Sequence, residues 1–380
     1  MTSVISHSMA WTNERLKFSS AENVGLKTLW KMLVFENGKE TFRNNDMPEY
    51  LTTQDMPNNM SLLKFFAINA LELSAPASPL LLQQQQSSCS SIPPPGWLQL
   101  AGHPESIAPA EHGTVRKRIS CSTDSEAIAY LEISKDPHAT KLVPRFKGIY
   151  EHNGETYLLL QDLLHGFKDP AVMDIKMGRR TFLESEVTNE TLRPDLYKKM
   201  VAVNSQAPTS DEHELQAITK LRYMLFREQI SSSECKGFRI EALKMKGAEP
   251  ITNLKTCKNA GDIEATISNF LNGRKAVTKE LIKRLKSMRQ LIEKSEFFQT
   301  HEVVGSSVFI VFDEERVGAW LIDFAKARRL PSGIKVDHRR HWVPGNCEEG
   351  LLHGIDELIK VFEGIYADQT KVTPSKYNSR

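Results

Sequence analysis

Apolar residues recur at helical spacing in three stretches of the chain. Ile263, Ile267, Phe270 and Leu271 form the first, and Leu281, Ile282, Leu285, Met288, Leu291 and Ile292 the second; Leu351, Leu352, Ile355, Leu358, Ile359 and Phe362 form the third. Spacings of three, four and seven gather such residues on one face of an α-helix. Between the last two stretches the pattern changes to strands, where SSVFIVF (306–312) and AWLIDF (319–324) flank a polar DEERVG turn. Three earlier segments, WLQL (97–100), VRKRI (115–119) and TYLLLQDLL (156–164), also read as strands. The HNGE run at 152–155 puts an Asn-Gly pair between GIY and TYLLL, which predicts a tight hairpin. No internal repeat is visible. Strands first and a mixed part after them predict an α+β fold. Its antiparallel N-terminal lobe covers 96–165 and its larger C-terminal lobe 166–368, with a tail at 369–380.

Residues 1–95 are different in kind. They close on SAPASPLLLQQQQSSCSSIPPPG, a Gln/Ser/Pro-rich run that cannot build a packed core. The region reads as low in complexity and largely disordered. Within it, VGLKTLWKMLVF (24–35) has the basic amphipathic make-up of some calmodulin targets. A transient helix in a mobile tail is the plainer account.

Charge and cysteine usage narrow the class. The 380 residues carry 49 Lys and Arg against 47 Asp and Glu, a net charge of +2. So small a bulk charge excludes a tail-driven nucleic-acid binder and leaves room for a local anion site. Five scattered cysteines without a C-x-x-C pair imply neither a disulfide framework nor a zinc centre. The N-terminus lacks a basic start followed by an apolar core. The most apolar stretch (61–82) is broken by Lys64, Glu72, Pro76 and Pro79, so no transmembrane segment is expected. A soluble, cytoplasmic protein is the expectation.

Three constellations carry candidate chemistry. In PAVMDIKMG (170–178), Asp174 and Lys176 project to one face of an extended backbone, a cation beside a carboxylate. Gly178 would permit close backbone approach. In WLIDFAK (320–326), an apolar strand runs into Asp323, a position suited to a metal-binding carboxylate. Ser306 and Ser307, on the neighbouring predicted strand, would add hydroxyls. In VRKRI, alternation sets Lys117 on the opposite face from Arg116 and Arg118, ahead of an apolar strand and a polar connector. Taken singly, each also fits a bland reading: a surface ion pair, a turn-forming Asp or a basic edge strand. There is no Walker A loop, no G-x-G-x-x-G and no H-R-D signature.

Jointly the segments are more specific. PAVMDIKMG matches the P-x-x-x-D-x-K-x-G signature of the inositol polyphosphate kinases, and the chain resembles their inositol 1,4,5-trisphosphate 3-kinase branch. The resemblance runs in order through GWLQLAGH, YLLLQDLL, DIKMGRRTFLESE, LYKKMVAV, QAPTSDEH, ITKLRYMLFREQISSS, GFRIEALK, SEFFQTHEVVGSS, WLIDFAKARRLP, VDHRRHW and GNCEEGLLHGIDELI. It covers nearly all of residues 96–366.

This likeness implies a two-lobed, protein-kinase-like ATP-binding fold whose helical insert (about 183–235) binds the inositol phosphate. It implies ATP- and magnesium-dependent phosphorylation of the 3-hydroxyl of inositol 1,4,5-trisphosphate, an activity linked to calcium signalling. Lys117 would contact ATP phosphates, and backbone groups of Gln161 and Leu163 would hold adenine. Asp174 would bind ribose hydroxyls or orient the reacting centre. Lys176 would bridge the γ-phosphate and the substrate, while Asp323 and Ser307 would ligate magnesium. Arg193, Lys220, Arg227 and Lys244 match the substrate positions. Some positions depart from the family pattern: Ala171, Glu105, Ile107, Ala325 and Ala327 replace the usual residues, and no charged position is lost. The tryptophan- and lysine-rich segment expected before WLQLAGH is replaced by the Gln/Ser/Pro run, which puts calmodulin control in doubt. A multikinase of broader specificity and a noncatalytic inositol phosphate-binding protein are the alternatives.

Overall fold

The computed structural model describes residues 106–254 and 256–371. The expectations for residues 1–95, for the WLQL strand and for the end of the tail (372–380) lie outside the described residues.

The N-terminal lobe comprises β1 (Ile107–Ala110), β2 (Thr114–Ile119), helix α1 (Ser125–Ile133), β3 (Phe146–His152) and β4 (Glu155–Gln161). Its strands form one antiparallel sheet in the order β1-β2-β4-β3. The β3–β4 hairpin turns at Asn153 and Gly154, both at positive φ (+52° and +77°), as a tight turn of this kind demands. The expected strand over 156–164 stops at Gln161. There Asp162 begins a turn, its N–H donating to Gly113 O and its carboxylate accepting from Leu164 N–H. Helix α1 left no periodic signal, because Ile128 and Leu131 face outwards while Ala127, Tyr130 and Ile133 are buried. Its start is marked instead by Asp124, whose side chain accepts from the Glu126 N–H.

The C-terminal lobe starts with β5 (Ala171–Met177). An insert follows: β6 (Leu192–Arg193), α2 (Pro194–Val203), α3 (Ser210–Leu215), β7 (Ile218–Thr219), α4 (Lys220–Ile230) and α5 (Ser233–Lys236). Then come β8 (Phe238–Lys244), α6 (Ala260–Leu271), α7 (Lys275–Lys294), α8 (Glu296–Thr300) and β9 (His301–Val303). The chain closes with β10 (Ser307–Phe312), β11 (Val317–Ile322), β12 (Ala327–Arg329) and α9 (Leu351–Lys371). The last helix therefore continues three residues past the expected boundary at 368.

Four of these strands form a second sheet, β11-β10-β5-β8, again antiparallel. Alternation divides it into two faces. Met173, Ile175 and Met177 of β5 turn into the main core with Val308, Ile310 and Leu321, covered by α7 and α9. Helix α7 sinks Leu281, Leu285, Met288 and Ile292 into that core. Each such side chain contributes roughly 1.5–3 kcal/mol. The opposite face turns Asp174 and Lys176 towards the cleft between the lobes and packs Val172 against Val311 in a small apolar cluster. The insert packs around its own small core of Leu196, Met200, Ile218, Tyr223 and Phe226, clipped by the β6–β7 pair. Among the described residues, no helix is long and apolar enough to cross a membrane.

Candidate active site

The charged centre lies where β2, β5 and the segment after β11 meet. Beyond Ile322 the chain turns at Asp323 with φ of +66°, a left-handed backbone that Asp tolerates better than most residues. The turn sets its carboxylate between two lysines. Lys117 Nζ lies 3.7 Å from Oδ1 and Lys176 Nζ 3.5 Å from Oδ2. Lys117 is held in turn by Glu126 of α1 at 2.6 Å. Burial works against the Lys117 charge, but Glu126 and Asp323 outweigh it and raise its pKa above the ordinary lysine value. Burial likewise opposes the charged form of Asp323, yet Lys117, Lys176 and Lys326 hold it down at about 2. A strand lysine paired with a helix glutamate, close to a carboxylate that follows a strand, is how protein kinases hold nucleotide phosphates.

Oxygen atoms collect beside Asp323. Asp174 is buried, and that burial lifts its pKa to about 6 despite Lys176 and the Ser307 hydroxyl beside it. Asp174 Oδ1 and the Ser306 hydroxyl are buried without a hydrogen-bond partner. Among the described residues, no group of three or more His, Cys, Asp or Glu side chains could hold a metal alone. Magnesium at nucleotide sites takes one or two carboxylates and shares the phosphate oxygens. Asp323, Asp174 and the two serine hydroxyls fit an ion bound in that way together with a nucleotide.

The hinge runs from Gln161 to the start of β5. The Gln161 N–H is occupied by Arg145 O, whereas the Leu163 backbone groups have no partner among the described residues. A cavity of about 570 Å³ opens here, with Gln161, Leu163, Phe167, Arg316 and Trp320 among its walls. Lys117, Lys176 and Asp323 do not line it, so it adjoins the hinge rather than the phosphate end of the cleft. Gly178, the expected point of close approach, meets the protein itself: its φ is +101°, and a Cβ there would lie 3.0 Å from Glu349 O.

On the insert side, Lys220 opens α4 and pairs with Glu186 at 2.7 Å. Arg193 faces Ile218 across the β6–β7 clip, next to the start of α4, and grips Asp195 with two bonds of 2.8 and 2.7 Å. Arg227, in the last turn of α4, is 2% exposed and stands 3.5 Å from Glu241 of β8. Arg239 takes the same carboxylate at 2.7 Å. Burial opposes the Glu241 charge, but Arg239, Arg227 and Lys176 hold its pKa at about 2. Glu241 thus fastens the insert to β8, where Arg239 lies opposite Lys176 in register.

Lys244 lies apart from the other expected substrate positions. It pairs in register with Val172, four residues from Lys176, or roughly 13 Å along the strand. Its Nζ bonds Asp169 at 3.0 Å, at the hinge end of the sheet.

Four participants escaped sequence reasoning: Glu126, Arg239, Glu241 and Lys326. A helix glutamate following the strand lysine is a signal that could have found Glu126. For Arg239 and Glu241 the alternation of β8 alone gave no such cue.

Comparisons with known proteins bear on this arrangement. A family model described as inositol polyphosphate kinase matches residues 157–363. The inositol-trisphosphate 3-kinase homolog of Caenorhabditis elegans is 49% identical over 271 residues, which cover 70% of this chain and 55% of that protein. Inositol-trisphosphate 3-kinase A of Rattus norvegicus is 44% identical over 275 residues, 71% of this chain and 59% of the relative. The chain thus matches less than two thirds of the length of either relative. An inositol phosphate multikinase from S. cerevisiae, crystallised with ADP and Mn2+, is 16% identical and aligns with a TM-score of 0.46. That alignment covers 67% of this chain and 99% of the yeast one.

Proposed function

Because the chain belongs to the inositol polyphosphate kinase family, we propose that it transfers the γ-phosphoryl group of ATP to the 3-hydroxyl of inositol 1,4,5-trisphosphate, yielding the 1,3,4,5-tetrakisphosphate. The observation that carries this reading is Asp323, held between Lys117 and Lys176 with the hinge on one side and the basic insert on the other. Relatives named inositol-trisphosphate 3-kinase, at 49% and 44% identity, support the choice of substrate.

On this reading Lys117, locked by Glu126, binds the ATP phosphates, and the open backbone of Leu163 receives adenine beside Gln161. Asp323, with Ser307, would hold a magnesium ion, which when bound neutralises phosphate charge and aligns the nucleotide. Lys176 reaches the migrating group from the opposite side of Asp323. Asp174 accepts a hydrogen bond from the attacking hydroxyl and orients it; a carboxylate with a pKa near 6 is ionised at neutral pH and able to take its proton. Arg193 and Lys220 present charge to the ring phosphates, and Arg227 acts from behind by fixing Glu241. Lys244 has no part. Positioning and charge neutralisation supply most of the catalysis, as in phosphoryl transfer generally. A cytoplasmic site of action and a role in calcium signalling follow from the substrate.

The test is transfer from labelled ATP to a panel of inositol phosphates, with Asp323→Asn alongside. The expected outcome is strong labelling of the trisphosphate, lost in Asp323→Asn while trisphosphate binding persists. Binding without transfer in the wild type would make the protein a noncatalytic binder. Comparable labelling of tetrakisphosphates would make it a multikinase.

A further inference from the structure

The reading above brings Arg193 and Lys220 to the ring phosphates and leaves a buried carboxylate beside them without a task. Glu186 closes a single helical turn (Glu184–Glu186) at the start of the insert and is 9% exposed. Its Oε1 accepts from Lys220 Nζ at 2.7 Å, and its Oε2 accepts from Asn189 Nδ2 at 3.1 Å. Arg193 lies within its field as well: Asp195 chiefly, with Glu186 behind it, raises the Arg193 pKa above the ordinary arginine value. Lys220 in turn faces the cleft. Burial, Lys176 and then Lys220 lower the pKa of Lys326, whose Nζ is held on Thr181 O at 3.1 Å.

The turn that carries Glu186 is fastened in place. Glu184 accepts from Trp342 Nε1 at 2.9 Å, from the Gly345 N–H at 3.0 Å and from the Cys347 N–H at 3.1 Å. This anchoring keeps the Glu186 carboxylate under Lys220 as an anion enters. An ammonium has three donors, so Lys220 can keep Glu186 and still offer the others to a phosphate.

The neighbouring carboxylates are placed differently. The Asp195 side chain, on Arg193, is 39% exposed, where water screens it. Glu241 is shared by Arg227 and Arg239. Glu186 combines burial with a direct bond to a cation of the substrate side. A fixed charge acts on a ligand in proportion to the ligand's own charge, and more strongly where water is scarce. A phosphate monoester carries about 1.5–2 negative charges at pH 7. Each phosphate packed near Lys220 therefore gains from the cations and is opposed by Glu186.

We infer that Glu186 is a specificity-determining residue that limits the negative charge the substrate cleft accepts, so that a trisphosphate is held and an inositol bearing a further phosphate is disfavoured. The inference rests on the proposed reading of Arg193 and Lys220 as substrate contacts. Glu186 acts through the field it sets on those two cations, away from the reacting atoms.

Calorimetric titration of the full-length chain with two ligands tests it. One is inositol 1,4,5-trisphosphate; the other is inositol 1,4,5,6-tetrakisphosphate, which adds a phosphate and keeps the 3-hydroxyl free. Wild type should favour the trisphosphate. Glu186→Gln keeps an oxygen for Lys220 and removes the charge. It should tighten the tetrakisphosphate more than the trisphosphate and shrink the ratio of their dissociation constants by about three- to tenfold, the effect of a partly screened unit charge on one phosphate. Glu186→Ala removes the same charge, should shrink the ratio likewise, and covers the case in which glutamine does not fold. Glu186→Asp keeps the charge and should keep the wild-type ratio. An unchanged ratio in the Gln and Ala variants, or equal weakening of both ligands as loss of support for Lys220 would give, overturns the inference alone. So does an equal shrinkage in Glu186→Asp, or a wild type without preference for the trisphosphate. Absence of trisphosphate binding by the wild type overturns the reading of the cleft and the inference with it.

Discussion

At the scale of single residues, the account turns on one carboxylate and the two lysines around it. Lys176→Ala should lower turnover by about a hundred- to a thousandfold, the usual cost of losing one preorganised stabiliser of transferring charge. The fold should survive, because Lys176 lies on the cleft face of β5 while Met173, Ile175 and Met177 fill the core behind it. Turnover measured beside a thermal melt checks this; near-normal turnover in a folded variant would remove Lys176 from the chemistry. On the proposed mechanism Asp174 sets the pH dependence. Its pKa of about 6 means that it is ionised above that value and protonated below it. Turnover should therefore fall about tenfold per unit as pH drops below 6 and level off above it. A flat turnover profile from pH 5 to 7 would show that Asp174 is not the group that titrates. Lys117, Asp174, Lys176 and Asp323 were legible in the sequence because each sits in a short motif. Their partners were not: the Lys326 contact with Thr181 and the grip of Arg227 and Arg239 on Glu241 join segments whose spacing carries no signal.

At the scale of elements, hairpins and amphipathic helices could be read in advance, and the details of the insert could not. The β3–β4 turn was encoded by Asn153-Gly154, and α7 by its apolar stripe. Helix α1 showed no stripe. The distance between Lys244 and Lys176 depends on which strand pairs with β5 and in what register, and only the assembled sheet fixes that. Two predictions follow from this packing. Arg227→Ala removes one of the two arginines on Glu241, which keeps Arg239 at 2.7 Å, and should destabilise the fold by about 1.5–3 kcal/mol. It should also raise the Michaelis constant for the trisphosphate more than that for ATP, whereas Lys244→Ala should leave both within about twofold. Chemical denaturation and substrate titrations measure these effects; a trisphosphate defect confined to Lys244→Ala would reverse the assignment. Gly354, in the first turn of α9, packs directly on the Gly237 carbonyl, and a Cβ there would overlap it. Gly354→Ala should cost about 1–3 kcal/mol of stability with little change in either Michaelis constant.

At the scale of the whole molecule, every residue assigned to binding or transfer lies after Gly96. Removing residues 1–95 should leave turnover within about twofold, and calcium–calmodulin should activate the full chain weakly or not at all. Loss of soluble, active protein on truncation would show that the first 95 residues support the lobes. The two sheets face one cleft, and its basic character is local: a chain of net charge +2 still gathers Lys117, Lys176, Lys220, Arg239 and Lys326 around Asp323 and Glu241. On the proposed reading such a cleft holds two polyanions at once, and the position at which they exchange a phosphoryl group is the central claim. Resolving the product of ATP and inositol 1,4,5-trisphosphate by phosphorus and proton NMR tests it most directly. The account predicts one new phosphate, on the 3-hydroxyl. A new phosphate on any other hydroxyl, or no new phosphate from a folded protein with magnesium present, would contradict it.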